Sequence, residues 1–93
     1  MSKSEFFIIT STGPTDFQPL DFSGAKQVLL RSVGTVDGVI TRASSGNSTT
    51  FLEPYFMIRV DDNPTPIGTC DDRLYWVSKE AGTSIVQVWV VRE

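Results

Sequence analysis

The sequence predicts an all-β chain: an antiparallel β-sandwich or small β-barrel of roughly six to seven strands. Short apolar runs rich in Val, Ile, Phe, Thr, Tyr and Trp alternate with clusters of Gly, Pro, Asp, Asn and Ser. Nowhere do apolar residues recur at the i, i+3, i+4, i+7 spacing of an amphipathic helix. The length of 93 residues, 40% hydrophobic and 20% charged, suits one domain spanning 1–93 with one small core.

The first strand is expected at Glu5-Phe6-Phe7-Ile8-Ile9-Thr10, closed by the turn formers Ser11 to Asp16. Phe17, Leu20 and Phe22 then alternate with polar residues across Pro19. This is an extended connection, because proline has no N–H to give a central ladder. Residues 26–36 and 39–43 read as the arms of a hairpin around Asp37-Gly38, a pair suited to a tight turn with positive φ. That register sets Val36 opposite Val39 and Thr35 opposite Ile40, with Gly34 as a bulge. Past the turn at 44–48, the strand Tyr55 to Val60 puts Phe56, Ile58 and Val60 on one face and Tyr55, Met57 and Arg59 on the other. A polar loop runs from Asp61 to Asp72. The strands 73–78 and 84–92 then read as a terminal hairpin, with Gly82 in a left-handed conformation at the turn.

Composition excludes several chemistries. There is no histidine, so no histidine-based triad and no imidazole acid or base. Cys70 is the one cysteine, which leaves no internal disulfide and no cysteine cluster for zinc. A net charge of −3 and a pI near 4.7 argue against nucleic acid as a partner. No apolar run approaches the ~18 residues of a membrane span. The apolar run Phe6 to Ile9 is too short for a signal-peptide core, so synthesis in a reducing cytoplasm is expected.

Serines and threonines lack a histidine base, and no G-x-S-x-G occurs, so no catalytic residue and no cofactor are expected. Asp61, Asp62, Asp71 and Asp72 offer oxygen ligands at a density that suits Ca²⁺. Their spacing is not that of an EF-hand, and a solvated loop is the simpler reading, so no metal ligand is assigned.

What stands out is surplus apolar surface. A strand with one wet face alternates apolar and polar, yet the last strand carries Val86, Val88 and Val90 on one side and Ile85, Trp89 and Val91 on the other. Phe6 to Ile9 is likewise apolar on both sides, and Tyr55 and Met57 add to an outward face. Aromatic residues and methionine are enriched where proteins meet. Phe6, Phe7, Tyr55, Met57 and Trp89 are therefore the candidate contacts with other copies or a larger partner. A sugar- or receptor-binding module is the rival reading. It requires two or more of Tyr55, Tyr75, Trp76 and Trp89 exposed in one row.

In the C-terminal third, Pro64-x-Pro66-Ile67-Gly68 precedes Leu74-Tyr75-Trp76-Val77, then Ala81-Gly82-Thr83, then Val86-Gln87-Val88-Trp89-Val90. This succession resembles small virion proteins of tailed bacteriophages: the head-decoration, neck and tail-associated β-domains. It covers residues 64–91, and no catalytic or binding motif of those proteins is matched. The resemblance implies a structural capsid decoration or cement protein in the virion. Its partners would be copies of itself, often as trimers in that family, and a capsid shell.

Overall fold

The computed structural model describes residues 3–20, 22, 25–50, 56–61, 63–67 and 73–92. Eight strands follow in chain order: β1 (Lys3–Ser11), β2 (Gln18–Leu20), β3 (Ala25–Ser32), β4 (Gly38–Thr41), β5 (Phe56–Ile58), β6 (Thr65–Ile67), β7 (Leu74–Ser78) and β8 (Ser84–Arg92). A single 3-10 turn at Ser48–Thr50 is the one helical element among the described residues. The strands form two antiparallel sheets of four, ordered β1-β8-β3-β6 and β2-β7-β4-β5. The chain is all-β, and it does not close into a barrel. β2 and β6, three residues each, lie in stretches that the sequence reads as connections. Both are outermost strands and contain Pro19 and Pro66, as expected of a residue that interior ladders exclude.

One apolar core is shared by the two sheets. Val28 and Leu30 of β3 and Val86, Val88 and Val90 of β8 come from the first sheet. Leu20, Ile40, Ile58 and Trp76 come from the second, with Phe22 and Ala25 completing the cluster. These residues obey the two-residue period of a strand, so alternate positions of β3 and β8 turn inward.

Neither expected hairpin forms. β3 pairs with β8 and β6, whereas β4 pairs with β7 and β5, so residues 33–37 cross from one sheet to the other. The crossing is held non-locally. Val33 and Thr35 donate to the carbonyls of Ile85 and Thr83 at 2.8 Å each, and the Asp37 carboxylate accepts the Val60 amide at 2.8 Å. Gly38 is not a positive-φ residue. A Cβ there would meet the Trp76 ring at 2.0 Å, so glycine is required by close approach of the indole. The bulge falls between Ala25 and Gln27, not at Gly34.

β7 and β8 likewise belong to different sheets, and residues 79–83 form an arch between them. Gly82 takes φ 135° there, as expected, a value that side chains disfavour. Buried serines fix the corner. The Ser78 amide donates to Ser11 Oγ at 3.0 Å, the Ser78 hydroxyl to the Ser11 carbonyl at 3.0 Å, and the Ser48 hydroxyl to the Ser78 carbonyl.

Candidate interaction surface

The outer face of the first sheet follows from strand parity. Along β1, Phe7 and Ile9 pack against the core while Ser4, Phe6, Ile8 and Thr10 are exposed. Pairing with β8 and then β3 lines up the outward residues in rows. Ser4, Val91 and Gln27 form one; Phe6, Trp89, Leu29 and the β6 residue Pro66 form the next. Ile8, Gln87 and Arg31 follow, and Thr10 faces Ile85 at the end.

The central row is apolar across all four strands of the sheet. Phe6 and Trp89 touch, with ring centroids 5.2 Å apart and planes tilted by 48°, a geometry that aromatic quadrupoles favour. Phe6 remains 52% exposed and Ile8 55%. Beside them a shallow groove is lined by Phe6, Leu29, Trp89, Val90, Val91 and Pro64, with Ser4 and the charged Glu5 on its wall. Arg31 is the one ionisable side chain in these rows. At the rim, Arg92 Nε lies 3.5 Å from Glu5 Oε1, a pair open to solvent on the Glu5 side and of small energetic weight.

The structure brings two of the five candidate contacts together, Phe6 and Trp89. Phe7 is on the opposite side of β1, half-buried against the core. It cannot share the surface of Phe6, because successive strand residues face opposite ways. Met57 is 37% exposed but belongs to β5, in the other sheet. Tyr55 lies outside the described residues, as do Asp62, Cys70, Asp71 and Asp72. Sequence reasoning did not single out Ile8 and Leu29, although the alternation that exposes Phe6 on β1 also exposes Ile8.

The row required for a sugar platform is not formed by the described aromatics. Trp76 is fully buried, its indole N–H donating to the Ser84 carbonyl at 3.3 Å. Tyr75 and Trp89 sit in different sheets. At the far end of β1, the Asp16 carboxylate accepts the Thr12 amide at 2.8 Å, the Gln18 side chain at 2.6 Å and the Thr12 hydroxyl at 3.0 Å. The Thr12 amide, seconded by the two side chains, holds the Asp16 pKa below the usual carboxylate range against an opposing desolvation. These bonds fix the turn after β1. No helix among the described residues is long and apolar enough to cross a membrane. Comparison with protein-family models, curated proteins and solved structures finds no match for the chain.

Proposed function

We propose that this chain is a non-catalytic structural subunit of a bacteriophage particle, a capsid decoration or cement protein. It is made in the host cytoplasm and retained in the virion through apolar strand-face contacts. Its two sheets act as a β-sandwich that presents one apolar face. The observation that carries this reading is the outward row Phe6-Trp89-Leu29-Pro66, apolar across the sheet, with Phe6 and the neighbouring Ile8 each more than half exposed. Leaving such a face in water is a liability that a partner surface removes. A shell repeats one docking site many times, so modest contacts per copy become effective when the copies also join each other. The C-terminal resemblance to phage virion β-domains supplies the kind of partner.

The test is cosedimentation with heads assembled from the genome that encodes the chain, comparing wild type with Trp89→Lys. Binding by wild type that raises the heat stability of the heads, and its loss in the variant, is the expected result. A wild-type protein that leaves the heads unbound and unchanged overturns the proposal.

A further inference from the structure

Three of the four outermost strands are guarded against further pairing. β2, β5 and β6 are three residues long, and β2 and β6 carry proline; shortness and proline are how sheets refuse additional strands. β1 is the exception, with nine residues, no proline and an unbroken register with β8.

The direction of its amides follows from the ladder. Val33 and Thr35 continue the β3 register and donate to Ile85 and Thr83, so odd-numbered residues of β8 turn their backbone polar groups toward β3. Consecutive residues of an antiparallel strand bond to opposite sides. Val86, Val88 and Val90 therefore bond toward Ile9, Phe7 and Glu5 of β1. It follows that the N–H and C=O groups of Ser4, Phe6, Ile8 and Thr10 point to the open edge. They have no partner there among the described residues.

We propose that this edge pairs with the same edge of a second copy, antiparallel about a two-fold axis at Phe7, so that the two four-stranded sheets become one. In that register Ser4 lies opposite the partner's Thr10 and Phe6 opposite the partner's Ile8. All four outward residues then form mutually bonded pairs, roughly eight hydrogen bonds in all at two per pair. The order polar, apolar, apolar, polar is self-complementary: apolar side chains meet apolar, and hydroxyls meet hydroxyls. Glu5 faces the partner's Ile9 and Lys3 faces the partner's Ser11, so no like charges oppose. A slip by two residues sets Ser4 against Ile8 and strands one end of the edge. This self-complementarity makes a second copy, not an unrelated strand, the occupant. The inference rests on the assembly role proposed above and specifies the contact between copies within it.

Light scattering on the wild-type protein is expected to give twice the 10.3 kDa chain mass. Ile8→Pro removes an outward N–H that the fold does not use and returns the mass to that of one chain. Ile8→Lys does the same with the backbone intact, and replaces the proline variant should circular dichroism show that one unfolded. The register is read by disulfide trapping in a Cys70→Ser background. A mixture of Ser4→Cys and Thr10→Cys chains cross-links, since paired Cα atoms lie about 5.5 Å apart. Neither chain cross-links alone, because like positions are then about 20 Å apart. A wild-type mass of one chain overturns the edge pairing, as does a dimer that survives both Ile8 variants. Cosedimentation with heads by a monomeric wild type would preserve the assembly role while removing this contact. Trp89→Lys keeps the dimer and loses the heads; loss of the dimer in that variant assigns the copy contact to the face and overturns the edge pairing.

Discussion

Gly38→Ala probes the fold at the point where local sequence and tertiary packing give different reasons for the same residue. The added methyl would stand 2.0 Å from Trp76 Cζ2, 2.1 Å from Cη2 and 2.6 Å from Ser84 Oγ. Carbon contacts settle at roughly 3.5–4.0 Å, so the ring or β4 must retreat by about 1.5 Å. Trp76 has no free space on its own side: it is fully buried, and its N–H is tied to the Ser84 carbonyl. Overpacking of this kind costs about 1–3 kcal/mol or more, and replacing a strand glycine returns about 0.5–1 kcal/mol of chain entropy. A 2.0 Å approach to a buried ring puts the overpacking cost at the upper end of its range, so the net expectation is a loss of about 2 kcal/mol, which for a domain of this size lowers the melting temperature by roughly 8–16 °C. Urea and thermal unfolding followed by circular dichroism would measure it. The decisive comparison is with Trp76→Phe, which removes the outer ring that the methyl meets. The two substitutions together should cost at least about 1 kcal/mol less than the sum of the single variants, as contacting residues do. A cost of about 1 kcal/mol for Gly38→Ala that is indifferent to Trp76 would instead mean a backbone preference at a turn. It would refute the close-approach explanation.

Other consequences are measurable in the same variants' framework. Phe6→Ser combined with Trp89→Ser removes an aromatic pair worth about 0.5–1.5 kcal/mol from an exposed face; thermal unfolding should shift by only several degrees while binding to heads is abolished. Ser11→Ala leaves the buried Ser78 amide without its acceptor, and urea unfolding should show a loss of about 1–3 kcal/mol. Asp16 has a folded pKa below its unfolded value of about 3.9, so its stabilisation is present above that value and is lost as pH falls through the folded pKa. Asp16→Asn should therefore flatten the fall in melting temperature as pH drops below about 4, and an unchanged profile would dismiss the role of the Thr12 bond.

The sequence makes the faces legible and conceals the pairing. In β8 the two-residue period separates Val86, Val88 and Val90, all buried, from Trp89 and Val91, which are partly open. In β5 it separates Ile58 from Met57 in the same way. Side-chain direction is a property of the strand itself, so it survives any choice of neighbour. The identity of the neighbour is not local. Asp37-Gly38 satisfies the chemistry of a hairpin turn, yet the chain crosses between sheets there because distant groups, the Val60 amide and the Trp76 ring, hold it. The arch at 79–83 misleads similarly: Gly82 has the positive φ a hairpin loop would use, but serines tie Ser78 back to Ser11. Buried serines leave no amphipathic signal. They become visible only once the strands that bring them together are placed. Phe7 shows the limit within a readable strand, since two adjacent phenylalanines belong to opposite faces and only one was available for contact.

The face and the edge of β1 are connected through size. β1, β8 and β3, of eight or nine residues, are about 30 Å long and β6 has three residues, so at about 4.8 Å between strands one outer face covers about 450 Å². A stable interface buries about 800 Å² per partner, more than a single copy presents. Joining two copies along β1 would double the face to about 900 Å² and align the row Phe6-Trp89-Leu29 of one copy beside that of the other. The same residues would serve both contacts, because Phe6 and Ile8 turn their side chains to the face and their amides to the edge. Edge pairing would in this sense be the step that turns an apolar face too small to dock alone into one of ordinary interface size, and the two proposed contacts would reinforce each other.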